Sequence, residues 1–193
     1  MKITQQHLFK TATQPITGGL LLAEPFLNEP YFQRAVILLI DHNKEESMGL
    51  VLNHPSEIQT NHAIEGVDFK MRLYFGGPVD TQRLLYLHSY PDITDAKQIT
   101  PHLFFGGDWD QLLKQIECDK HPQRNVRFFS GYAGWGPLQL NDEIAEHAWV
   151  CITNYNDQTL LSQPSDTLWH NSLVSQGEKL AAFAHFPLNI SDN

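Results

Sequence analysis

Short, densely apolar runs recur along the chain at Leu20–Ala23, Ala35–Ile40, Gly49–Leu52, Leu84–Leu87, Val126–Phe129 and Trp149–Ile152. They are rich in branched or aromatic residues and bounded by Gly, Pro, Asn or Asp, the pattern of strands ended by turns. The run at 35–40 has no polar position, so it predicts a strand covered on both faces and placed centrally in its sheet. Helical periodicity appears from Asp108 to Glu117, where Trp109, Leu112, Leu113 and Ile116 share one stripe. Asp108 is placed to cap that helix, and Gln111 is placed to reach back to its start. A second helix is expected with Asn141 as cap, Asp142 and Glu143 in the first turn, and Ile144 and Ala148 turned inward. A third is expected from Ser165 or Asp166 through Trp169 and Leu173 to Gln176, stopped by Gly177. Leu180 to Phe186 reads as a last strand, ended by Pro187.

These elements predict an α+β single domain with a mixed, strongly curved, barrel-like β-sheet and helices packed on its outside. Residues 1–17 read as a polar N-terminal extension, 18–187 as the domain and 188–193 as a tail. The string Phe75-Gly-Gly-Pro-Val-Asp80 is echoed at Phe105-Gly-Gly-Asp-Trp-Asp110, but two copies of six residues make no solenoid. Both copies predict a chain that leaves a strand through backbone conformations suited to glycine.

Composition narrows the function classes. With 41% hydrophobic and 18% charged residues in 193, the chain has the apolar content to build a core. Its 13 Lys plus Arg against 22 Asp plus Glu give a formal charge of −9, which disfavours phosphate backbones and anionic lipid surfaces. The basic group Lys120, His121, Arg124 and Arg127 is the one candidate patch for nucleic acid. The first residues lack the apolar stretch of a secretory signal, and no apolar run approaches bilayer length, so a cytoplasmic protein without a membrane span is expected. Cys118 and Cys151 read as two buried free thiols.

Chemistry-bearing motifs are sparse. The ten histidines include no His-x-His pair and no His-Glu-x-x-His helix, so no metal and no cofactor are expected. No Gly-x-Ser-x-Gly elbow is present, and Ser130 reads as a strand end. Gly131-Tyr-Ala-Gly-Trp-Gly136 has neither the Lys-Ser/Thr ending of a phosphate loop nor the glycine order of a dinucleotide fold. Tyr132 and Trp135 read as amphipathic aromatics in a glycine-rich loop, suited to a ligand or partner, or to plugging the end of a core.

One ordered set of strings covers nearly the whole chain: Leu22-Ala-Glu-Pro-Phe, Phe32-Gln-Arg-Ala-Val36, Asp41-His-Asn, Met48-Gly-Leu-Val-Leu-Asn53, Phe75-Gly-Gly-Pro-Val79, Leu87-His-Ser89 and Gly131-Tyr-Ala-Gly-Trp135. It resembles the YqgE/AlgH family of bacterial proteins, some members of which are labelled transcriptional or translational regulators. The resemblance implies that Arg34, His42, Asn53, Gly76, Gly77, Pro78, His88, Gly131, Tyr132, Gly134 and Trp135 are the family-motif positions and the candidate pocket. It also marks Pro25, Phe32, Gly49, Gln139 and Leu140. Where the family has Gly-Gln-Leu-Glu, this chain has Leu138-Gln-Leu-Asn141; an amide cannot replace a catalytic carboxylate, so a helix-capping role is expected there.

The expected function is that of a non-enzymatic cytoplasmic regulatory or interaction protein whose partner is another protein. A second reading is a small-ligand binder or enzyme with a pocket near His42, Asn53, Gly76-Gly77 and Tyr132–Trp135. A third is nucleic-acid binding through the Arg124–Arg127 region.

Overall fold

A computed structural model describes residues 14–27 and 29–186. Most of the expected N-terminal extension, Pro187 and the 188–193 tail lie outside the described residues. The strands are β1 (Leu20–Ala23), β2 (Val36–His42), β3 (Ser47–Val51), β4 (Pro55–Gln59), β5 (Arg72–Phe75), β6 (Val79–His88), β7 (Lys97–Thr100), β8 (Leu103–Phe105), β9 (Val126–Trp135) and β10 (Trp149–Ile152). The helices are α1 (Thr60–Ala63), α2 (Trp109–Cys118), α3 (Gln139–Ala145), α4 (Ser165–Val174) and α5 (Glu178–Ala181).

The strands form one sheet in the order β10-β1-β2-β3-β9-β6-β8-β7, with β4 and β5 branching from β9. All pairings are antiparallel except β5 with β9, so the sheet is mixed. β2 is central and buried on both faces over Val36–Ile40, as its unbroken apolar run predicts. The sheet does not close into a barrel. β9 pairs with β5 through Phe128–Ser130 and with β3 through Ala133–Trp135, so its edge opposite β6 is shared between two neighbours. The sheet therefore forks at β9, leaving β10 and β7 at separate ends.

Strand alternation divides the core. Leu20, Leu22, Val36, Leu38 and Ile40 face one cluster with Trp169, Leu173, Leu180 and Phe183. Leu21, Ala23, Ile37 and Leu39 face another with Trp135, Leu140 and Trp149. In β9 the alternation breaks: Phe129 packs in the first cluster, whereas Ala133 and Trp135 pack in the second. Gly131 lies between them at φ +68, and this left-handed residue resets which face the following side chains take. β9 thus runs through the segment that the sequence predicts as a loop, and Ser130 is mid-strand rather than at its end.

Other expectations are corrected by the packing. Leu180 to Phe186 is α5 followed by a 3-10 turn, with Leu180, Phe183 and Ala184 buried at helical spacing. α3 starts at Gln139, so Asn141 is an exposed residue inside the helix and not its cap. Asp108 does cap α2, accepting from the Gln111 amide at 2.8 Å, but the Gln111 side chain bonds Thr94 instead of reaching back. Cys118 is exposed, and only Cys151 is buried. Among the described residues no helix is long and apolar enough to cross a membrane.

Candidate functional site

The motif residues do not all meet at one place. Asn53 is committed to the backbone: its Oδ1 accepts from the Val36 amide at 2.8 Å and its Nδ2 donates to the Arg34 carbonyl at 2.9 Å. Those bonds hold the turn leading into β2, where Arg34 adopts φ 52. The Arg34 guanidinium lies 5.0 Å from the Trp169 ring centroid and donates to the Phe186 carbonyl, tying this turn to the C-terminal helices. His54 adds a 3.3 Å contact to the Gln33 carbonyl, and burial pulls its pKa down.

His88 is also structural. It is fully buried in β6, its Nε2 lies 2.9 Å from the Gly106 carbonyl, and its Nδ1 accepts from the Tyr90 amide at 3.3 Å. Those partners require the neutral ring with the proton on Nε2. Burial, the largest effect, lowers its pKa.

Gly76 and Gly77 are where the chain passes between strands. The Gly76 amide donates to the Ser130 carbonyl and its carbonyl accepts from the Val51 amide, each at 2.9 Å. A Cβ on Gly76 would sit 2.1 Å from the Gly131 carbonyl oxygen, and one on Gly77 2.1 Å from the Tyr132 carbonyl carbon. No side chain fits either gap, so the close passage of the strands at the fork of the sheet requires the Gly-Gly pair.

What the structure does bring together is an open cleft of about 370 Å³ along β3, β9 and the start of β6. Tyr132 and Trp135 line it with Met48 and Val79. Gly134 forms its floor: its backbone is ordinary, yet a Cβ there would stand 3.3 Å from the Tyr132 ring. Arg83, Glu46 and Asp41 line its polar rim, and Asp41 is paired with Lys97 at 2.9 Å. Ser47 also faces the cleft, and His42 reaches it only through Ser47, with Nδ1 2.7 Å from the serine hydroxyl. His42 and Ser47 are directly opposed in the β2–β3 hairpin.

Trp135 is fixed from behind. Its indole N–H donates to Glu143 Oε2 at 2.8 Å, and Trp149 donates to the same oxygen at 2.7 Å. Gln139 donates to Glu143 Oε1 at 2.9 Å and accepts from the Gly136 amide at 3.0 Å. Glu143 is therefore the carboxylate that positions the cleft wall, a role that its expected place in the first turn of a helix capped by Asn141 does not reveal. Gly49 opposes this wall, since a Cβ there would fall 2.4 Å from Ile37 and 3.4 Å from the Trp135 ring.

The candidate basic patch loses Arg127. Arg127 is 4% exposed and points inward, donating to the Leu52 carbonyl at 2.6 Å and the Leu161 carbonyl at 2.8 Å. Its guanidinium carbon sits 4.5 Å from the Tyr74 ring centroid. Lys120, His121 and Arg124 remain exposed. Among the described residues no group of three or more His, Cys, Asp or Glu is arranged to hold a metal ion.

Comparison with known proteins places these features in a family setting. The AlgH-like family model matches residues 20–181. A UPF0301 protein of Bacteroides thetaiotaomicron is 37% identical over 175 residues, covering 90% of this chain and 89% of the relative. A crystal structure of a protein from Corynebacterium diphtheriae has the same fold at TM-score 0.75 and 22% identity, covering 90% of this chain and 94% of the other. The solution structure of the AlgH protein from Pseudomonas aeruginosa gives TM-score 0.69 at 24% identity, covering 91% of this chain and 97% of the other.

Proposed function

The chain belongs to the AlgH-like family, and from that premise we propose that it is a non-enzymatic interaction protein of the cytoplasm, regulating a partner protein that docks in the Tyr132–Trp135 cleft. The observation that carries this reading is the cleft itself: an aromatic wall, a side-chain-free floor at Gly134, and a rim where Arg83 and the Glu46 carboxylate have no ion-pair partner among the described residues. Aromatic walls with charged rims suit a protein segment bearing an apolar side chain beside a charge. By contrast, Asn53, His88 and Arg127 spend their polar groups on the fold's own backbone. Two unpaired thiols, one exposed, suit a reducing compartment.

Affinity capture from the native cytoplasm, comparing the wild type with Gly134→Leu and Tyr132→Ala, tests this reading. The expected result is a defined partner retained by the wild type and lost from both variants. Capture of the same proteins at equal yield by all three would overturn it.

A second reading, hydrolytic or ligand-binding chemistry, is favoured by the 2.7 Å contact between Ser47 and His42 at the cleft edge. A serine hydroxyl bonded to an imidazole is the start of a nucleophile and base pair. Covalent labelling of Ser47 by a fluorophosphonate, lost in His42→Ala, would support that reading; an unlabelled Ser47 leaves the contact as closure of the hairpin.

A further inference from the structure

A second open hollow, away from that cleft, lies where the chain leaves β10 and runs beside α4. It is a cavity of about 560 Å³, a size that ordinarily holds a small organic ligand. All nine residues lining it are uncharged, in a chain whose formal charge is −9. Its walls are amides and hydroxyls from Asn154, Gln163, Asn171 and Ser172, and Leu160 and Tyr155 supply an apolar floor and an aromatic face.

Several of these groups are held ready and not used up. The Tyr155 hydroxyl donates to the Gly18 carbonyl at 2.5 Å, which fixes the ring as a wall. The Gln163 carbonyl faces Arg127 Nη2 at 3.4 Å, and the Asn154 carbonyl accepts from Gln176 at 3.0 Å, so the backbone on both sides is anchored. Of the lining amides, Asn156 Oδ1 accepts from the Gln158 amide at 3.1 Å and Asn171 Oδ1 lies 3.5 Å from His170 Nδ1, which leaves the Asn154 and Gln163 side chains for a ligand. Ser172 is only 9% exposed and lines the cavity, where its hydroxyl, bonded to no other described residue, stays open to solvent and to a ligand. A ligand hydroxyl would exchange that solvent contact for a direct hydrogen bond. Asp157, next in sequence to the lining Asn156, is occupied by the His102 ring at 3.0 Å and the His102 amide at 3.2 Å.

We propose that this cavity binds a neutral, polyhydroxylated ligand of monosaccharide or disaccharide size. Amides and hydroxyls both donate and accept, which matches sugar hydroxyls. The Tyr155 ring and Leu160 match the C–H face of a sugar ring. The absence of a charged lining residue gives an anionic or cationic ligand no partner for its charge. The site is separate from the Tyr132–Trp135 cleft and shares none of its lining residues.

The test titrates the full chain with a panel of neutral sugars (glucose, galactose, mannose, maltose and trehalose), with glucose 6-phosphate and glucuronate as charged analogues, following backbone amide shifts by NMR. At least one neutral sugar is expected to bind at millimolar concentration, shifting amides within 154–176. Ser172→Ala is expected to weaken it about tenfold, the loss of one hydrogen bond at a buried site. Gln163→Ala, at a half-buried position, gives the same readout should Ser172→Ala fail to fold. Gly134→Leu is expected to leave sugar binding unchanged, so failure here is distinct from failure of the cleft. No response to any neutral sugar, equal affinity in Ser172→Ala and Gln163→Ala, or tighter binding of the charged analogues would overturn the proposal.

Discussion

Trp135 and Trp149 meet edge to face with ring centroids 6.1 Å apart, and both indole N–H groups converge on one oxygen of Glu143. The two rings come from β9 and β10, which are not neighbours in the sheet, so α3 carries the carboxylate that joins them. Both tryptophans are buried, at 5% and 3% exposure, and neither N–H has water to turn to. Glu143→Leu is expected to cost about 2 to 3 kcal/mol through two stranded donors. For a chain of this size that lowers Tm by roughly 5 to 10 °C. Thermal unfolding followed by tryptophan fluorescence checks it, and Glu143→Gln should fall between the variant and the wild type.

Leu138 offers a change of opposite sign. It precedes α3 at φ +61 and is 60% exposed, a conformation that penalises any side chain with a Cβ. The family resemblance has glycine at this position. Leu138→Gly is expected to stabilise the protein by about 0.5 to 1 kcal/mol, read as a higher midpoint in urea without a change in slope.

The fold's strands were legible where sequence and burial coincide, as in β1, β2 and β10, because a run buried on both faces must be apolar throughout. β4 and β7 escaped notice because most of their residues face solvent, and Pro-Ser-Glu-Ile-Gln or Lys-Gln-Ile-Thr carries no apolar pattern. Leu180 to Phe186 misleads for a different reason. Its alanines make the run look continuously apolar, whereas the buried set Leu180, Phe183 and Ala184 has helical spacing. At the candidate site, Tyr132, Gly134 and Trp135 were recognisable by type. Glu143 was not, because its partners are brought to it by tertiary pairing of distant strands. Arg127 shows the reverse error: its charged sequence neighbours suggest a patch, but its place within Val126-Arg-Phe-Phe129 turns it into the core.

Arg127 should therefore behave as a core residue. Among the described residues its charge has no carboxylate partner and is satisfied by two carbonyls and the Tyr74 ring. Arg127→Ala is expected to destabilise by about 3 to 5 kcal/mol, because it strands those carbonyls and leaves a void. Urea denaturation measures this directly; an unchanged midpoint would place the side chain in solvent.

Acid should weaken the fold through His88. Its folded pKa lies below the ordinary 6.5 because of burial, so between those values the unfolded chain binds more protons than the folded one. The stabilisation is complete above about pH 6.5 and is lost as the pH falls toward the folded pKa. His54 shifts in the same direction and adds to the slope. Unfolding free energies measured from pH 7.5 down to pH 5 should decline, and the decline should be shallower in His88→Gln.

The most direct test of the interaction reading places photoreactive benzoylphenylalanine at Val79, which is 37% exposed on the cleft wall, and irradiates living cells. A docking site predicts a covalent adduct with one defined protein, lost when Gly134→Leu fills the cleft and absent when the probe sits instead at the exposed Glu178 on α5. No adduct at Val79, or the same set of adducts from Val79 and Glu178, would contradict it.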